Sequence, residues 1–330
     1  MIQKLLLIAA LCLTTNLRAD PLPTFEDFRR VDRARRQSGQ LQTAESLVIT
    51  RVDPALLRAT AEKNPADWQM QWGAAELITD WTTRRALYES ALAGSGTNIA
   101  VVTRYALFAA RQGDREVAGH WLRHMQQAEP DNLVPWLAAH WLQATGVIHA
   151  AVNPPKLTVT ATHFRDYAPS SARARIRLLE AAGYSPFSAR RLGFMPDTPG
   201  PQMARELVNA VRADPTLASG LLRLAQALQE APPFLLHEFI GQSIELAIIT
   251  AGFDTAFNTA KRDRTAAIQE RRQELKTLLA EVEHGAAELA TEQEMTKYFD
   301  DVLAFGEETA LDWLRTAPTQ SDDAPASAKP

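Results

Sequence analysis

Apolar residues recur every three or four positions along most of this chain, and the two-residue alternation of a strand is nearly absent. Phe25, Phe28, Val31 and Ala34 open one helical stripe, Gly39 interrupts it, and Ala44, Leu47 and Val48 begin another. The same spacing predicts a short helix over Pro54–Lys63 and helical hairpins from 64 to 146. Between 149 and 170 the rhythm breaks. Pro154 and Pro155 forbid helix there, and 157–160 alternates like a lone strand. A lone strand has no partner for its backbone groups, so 149–170 is expected to be an extended linker between domains at 20–148 and 171–316. Helical patterning resumes over 171–182 and again from Ser185-Pro186 to 192, a cap followed by a first helical proline. Further helices are expected near 201–213, 216–230, 233–251, 254–283 and 286–315. The tail, 317–330, has no apolar period and is expected to be disordered. The fold class is all-α.

The first nineteen residues stand apart from this pattern. Lys4 precedes an apolar run from Leu5 to Leu13, polar Thr14, Thr15 and Asn16 end it, and Ala19 supplies a small residue before a cut at Asp20. That is the layout of a secretory signal, and it implies export to a bacterial periplasm. Nine apolar residues are too few to cross a bilayer core, which needs about 20. The longest later apolar stretch, 234–253, is broken by His237, Glu238, Gln242 and Glu245, so no transmembrane span is expected in the mature chain. Cleavage also removes Cys12, the single cysteine, and with it any disulfide, thiolate nucleophile or cysteine metal site. With 35 basic and 39 acidic side chains among 330 residues, the chain lacks the basic excess of a nucleic-acid binder.

A 34-residue period runs through the tryptophan-rich part. Trp68 and Trp136 lie two periods apart with Val102 between them, and Tyr88–Leu122 and Ala91–Met125 are each one period apart. In that register 99–132 forms the fullest unit. Ala106 takes the small position of the first helix, Gly113-Asp114 the turn, Ala118 and Leu122 the packing pair of the second helix, and Pro130 the end. Unit 65–98 keeps Trp68, Tyr88 and Ala91 but carries Arg84 where alanine is expected, and a partial unit starts at Leu133. Over about 25–148 the chain resembles a tetratricopeptide helical-hairpin array. The resemblance implies stacked hairpins, a concave groove and recognition of a protein or peptide. Its groove positions would be Thr103, Arg104, Leu107, Arg111, Leu137 and Trp141. That combination suits an extended or helical segment with a few acidic side chains.

Other constellations have plainer readings. Glu116, His120 and His124 share one helix face, but the repeat register turns that face outward, so no metal or other cofactor is expected. Residues 175–191 have a helix-turn-helix outline, read as an αα-hairpin turning at Gly183. Its Arg173, Arg177, Arg190 and Arg191 leave an anionic cell-envelope polymer as a further partner class. His237, Glu238, Gln242 and Glu245 fall on one arc of an otherwise apolar helix and predict a core helix with a wet face. In 254–283, Lys261, Arg264 and Arg271 interrupt an apolar stripe through Phe257, Ile268, Leu275, Leu278 and Val282. The sequence therefore predicts an exported interaction or scaffold protein without catalytic residues. The alternative is a periplasmic cell-wall-acting enzyme with the helical architecture, though not the Glu-Ser motif, of lytic transglycosylases.

Overall fold

The computed structural model describes residues 22–38, 52–145, 161–194, 199–211, 214–230, 232–252, 261–281 and 290–316. Residues 1–19, expected from their patterning to be an export signal, Gly39 to Val48, Pro154-Pro155 with 157–160, and the tail 317–330 lie outside the described residues. The chain divides into two units, Met1–Thr50 and Arg51–Pro330. In the first, α1 (Phe25–Ser38) opens on a reciprocal cap: Thr24 donates to the Asp27 carboxylate and the Asp27 amide donates back to Thr24 Oγ1.

The second unit is helical among the described residues, with one isolated bridge, Asn132–His163, and no sheet. Its helices are α2 (Pro54–Lys63), α3 (Trp68–Leu77), α4 (Trp81–Ser95), α5 (Ile99–Gln112), α6 (Arg115–Ala128) and α7 (Val134–Ala144). After them come α8 (Ala168–Ala181), α9 (Pro186–Gly193), α10 (Pro199–Val211), α11 (Ala218–Gln229) and α12 (Leu235–Ala251). The last three are α13 (Lys261–Glu281), α14 (Glu292–Phe305) and α15 (Glu307–Thr316).

Short polar turns start the N-terminal helices. Asp53, Asp67, Asp80, Asn98 and Asp114 each accept a first-turn amide from the helix that follows. The 34-residue pairs face inward: Tyr88, Leu122, Ala91 and Met125 are fully buried, as are Ala106 and Ala118. Each hairpin thus hides its apolar stripe against the next.

The expected boundary at 149–170 does not separate two bodies. Helix α8 lies along α3, and α10 packs on α7, α5 and α12. The described end of that stretch is stitched to the α6–α7 turn. The Leu133 amide donates to the His163 carbonyl (2.9 Å), and Asn132 Nδ2 to the Arg165 carbonyl (3.0 Å). Tyr167 holds a left-handed backbone (φ 58°) and donates its hydroxyl to Glu129. The helix expected over 286–315 is also two helices. Gly306, at φ 92°, breaks it in a conformation that L side chains rarely adopt, and the Glu307 amide leaves the ladder for the Pro233 carbonyl (3.2 Å).

One close approach fixes how the two halves of the chain meet. A β-carbon on Gly73 of α3 would lie 2.3 Å from the Ala174 carbonyl oxygen of α8, so the helices touch through backbone. Gly73→Ala must push α8 away, and we expect a loss of about 1–3 kcal/mol or more in urea unfolding. Ala267→Ser, on the exposed side of α13, should stay within about 0.5 kcal/mol.

Candidate functional site

The six groove positions are the first test of a binding surface. Thr103, Arg104, Leu107 and Leu137 are fully buried, Trp141 is nearly so, and only Arg111 is exposed. The chain covers this face itself. Helices α8 and α10 lie against α5, and α10 against α7. Trp141 Nε1 donates to Glu206 of α10 (3.0 Å), and Arg111 donates to Gln202 of the same helix (3.0 Å). The expectation of an open groove here is corrected: five of the six positions are interior.

Beneath this face sits a charged centre. Glu76 of α3 and Arg104 of α5 form a bidentate pair, Nε to Oε1 at 3.0 Å and Nη2 to Oε2 at 2.6 Å, with both side chains wholly buried. Trp72 Nε1 (3.1 Å) and the Tyr88 hydroxyl (2.8 Å) also donate to Oε1. Burial alone would raise the Glu76 pKa. Arg104, by charge and hydrogen bond, with Arg175 and Ser171, instead pulls it down to about 2. Burial pushes the Tyr88 phenol up, and Glu76 adds to this, so it stays a donor. Arg84, the departure from the repeat pattern, is buried too. Its Nε donates to the Ile78 carbonyl at the end of α3 (2.7 Å), and its guanidinium lies 4.1 Å from the centre of the Phe108 ring.

Asp166 and His237 extend the centre toward α12. Asp166 Oδ2 is 3.9 Å from Arg104 Nη1 and 3.8 Å from His237 Nε2, within electrostatic reach but beyond hydrogen-bond length. Burial holds the His237 pKa below its ordinary value, with Asp166 opposing and Arg104 adding to the effect. The arc His237, Glu238, Gln242 and Glu245 is therefore not wet, since all four side chains are buried. Glu245 is paired with Arg264 (2.7 and 2.9 Å), and Glu238 with Arg271 (2.8 and 3.3 Å).

Arginines of the α8–α9 hairpin are engaged within the chain. Arg177 makes two bonds to Asp67 (2.9 and 2.6 Å), Arg190 bonds Asp300 and Glu180, and Arg173 donates to the Leu303 carbonyl. His120 and His124 stand edge-on to Trp121. No group of three or more metal-ligating side chains occurs among the described residues, and no described helix is long and apolar enough to cross a membrane.

The surface offers a different opening. A groove of about 560 Å³ runs between α3, α8 and α14. Ile176, Leu303 and Ala304 give it an apolar lining, and Gln69, Arg173, Arg177, Glu180 and Asp300 bring both signs of charge to it. Phe305, 68% exposed, follows directly in the chain. Of its lining the sequence patterning marks only Arg173 and Arg177, because the walls come from segments 69–304 that no local motif joins. No protein family, no curated protein and no solved structure matches the chain.

Two predictions follow from the buried centre. Removing one member of the pair strands the other charge, so Glu76→Gln or Arg104→Met should each cost about 3–5 kcal/mol in chemical unfolding. The double variant should fall short of the sum by about 2 kcal/mol or more; additive losses would contradict the pairing. The second concerns pH. His237 binds its proton less readily folded than unfolded, so stability is complete above pH 6.5 and declines as the pH falls below it. His140, likewise lowered by burial, contributes with the same sign. A His237→Gln chain should show a shallower drop in Tm between pH 7.5 and 5.5 than the wild type. The Glu76 contribution has the same sign and is lost lower, as the pH falls from about 4.5 toward 2.

Proposed function

We propose that this chain is an exported interaction protein built on tetratricopeptide-like hairpins, and that it holds a segment of a partner protein in the groove between α3, α8 and α14. The carrying observation is the groove itself, with its apolar floor at Ile176, Leu303 and Ala304 and mixed charges beside it. An extended peptide offers alternating carbonyls and amides and a side chain every 3.3 Å or so. Arginines and carboxylates on the two walls suit such a chain better than they suit a uniformly charged polymer. Inward burial of Tyr88, Leu122, Ala91 and Met125 at the 34-residue spacing supports the hairpin reading. The n-, h- and c-region layout of residues 1–19 supports export.

The test is a photo-crosslinking residue at exposed Ala304, compared with one at exposed Glu116 on α6. Position 304 should capture a discrete periplasmic polypeptide that position 116 does not. Adding Arg177→Glu to the chain labelled at 304 should reduce that capture at least tenfold while helicity by circular dichroism is retained. Equal capture from both positions would remove the groove as the binding site.

A further inference from the structure

We propose that the acidic face of α12 is a docking face for an arginine-bearing amphipathic helix of a partner protein, and that α13 occupies it in this chain as a resident mimic. This face is separate from the α3–α8–α14 groove and does not depend on it.

The argument begins with register. Glu238 and Glu245 are seven residues apart on α12, and Arg271 and Arg264 are seven apart on α13. Glu238 meets Arg271 and Glu245 meets Arg264, so the helices run antiparallel with charges matched two turns apart. Between these rungs Arg272 donates to Gln242 Oε1 (3.2 Å), to Ser243 and to the Phe239 carbonyl. The carboxylates are buried while Arg264 and Arg271 remain 40% and 36% exposed. A helix fits this face if it carries arginine, an apolar residue four positions on, then two arginines at seven and eight, as Arg264, Ile268, Arg271 and Arg272 do. Charge complementarity thus states the chemistry of the partner, a cationic amphipathic helix.

The second step is how α13 is held. Only Ile268 and Leu275 of its 21 residues are buried. Its apolar anchoring lies toward the C-terminal end, where Leu275, Leu278 and Leu279 join a cluster with Leu235, Leu311 and Leu314. The half from Lys261 to Arg272 is held by polar contacts around buried Ile268, with Arg271 paired also to Glu308 of α15 (2.7 Å). In each rung a partly exposed arginine meets a buried carboxylate, and the solvent-facing side of the attraction is screened by salt. The N-terminal half can lift while the C-terminal half stays anchored, and a helix with the same arginine pattern then meets the uncovered carboxylates.

The probe is a fluorescein-labelled peptide of residues 261–281, followed by anisotropy against the full chain. An intramolecular helix competes at an effective concentration near millimolar. The wild type should therefore bind the peptide at least tenfold more weakly than a chain carrying Arg264→Glu and Arg271→Glu, whose own helix is repelled. Raising NaCl from 0.05 to 0.5 M should weaken that binding at least tenfold. A chain with Glu238→Arg and Glu245→Arg should prefer the peptide bearing the two arginine-to-glutamate changes. Absence of binding to the folded Arg264→Glu, Arg271→Glu chain, or binding indifferent to the peptide's charge, overturns the proposal. Should that variant unfold, hydrogen exchange of the wild type decides. In 1 M NaCl, amides 261–272 should lose at least tenfold more protection than amides 273–281, and equal change overturns the proposal.

Discussion

Everything in the larger unit is arranged around one ion pair that neither partner could leave. A carboxylate or a guanidinium alone in a dry interior carries a penalty of several kcal/mol, and only close, multiply bonded pairing offsets it. Glu76 and Arg104 are 28 residues apart on α3 and α5, so satisfying either one sets both helices at once. Trp72 and Tyr88 both donate to Oε1 of the carboxylate beside Arg104. Arg175 on α8, Asp166 before it and His237 on α12 bring the later part of the chain to the same centre. A centre assembled from five helices and a connecting stretch leaves no room for an open face at these positions. The N-terminal hairpins and the later helices therefore share one interior, and the backbone contact of Gly73 with α8 is its geometric expression.

The same two side-chain types do different work between α12 and α13. At the Glu76 centre both ions are buried, and the pair is a commitment that unfolding alone releases. In the α12–α13 ladder the carboxylates are buried but the arginines reach solvent. Coulomb attraction there is weakened by water and salt, and separation restores hydration to both sides. One pair fixes a fold; the other attaches an element to it. The apolar cluster of Leu275, Leu311 and Leu314 supplies what the ladder lacks, a contact that salt does not loosen.

How much of this was legible in the sequence follows from which interactions are local. Period 3.6 patterning and capping residues act within a few positions, and they place nearly all the described helices correctly. Tyr88, Leu122, Ala91 and Met125 are buried as apolar or aromatic residues on one helix face are expected to be. Polar residues were misread wherever their partners lay far away. Thr103 and Arg104 look like groove residues until Glu76 is placed beside Arg104. His237, Glu238, Gln242 and Glu245 look wet until α13 and Asp166 arrive. One signal was available: two glutamates seven apart on one predicted helix and two arginines seven apart on the next are complementary in the antiparallel sense. Gly306 was passed over because helical patterning continues on both sides of it, while its positive φ depends on where Pro233 lies.

Burial of the expected groove positions has a consequence for recognition. A repeat array with a free inner surface binds along that surface, where successive first helices present their side chains. Here those side chains face α8 and α10, and Trp141 and Arg111 spend their polar atoms on Glu206 and Gln202. One kind of outer surface left to such a chain lies where late helices meet early ones without filling the space between them. That condition is met where α14 runs beside α8 and α3: Arg173 reaches across to the Leu303 carbonyl, and exposed Ala304 and half-buried Leu303 line the opening above buried Ile176. The arginines near that opening are held by Asp67, Asp300 and the Leu303 carbonyl, so their positions are set before any partner arrives. Groups fixed in advance lose little conformational entropy on binding.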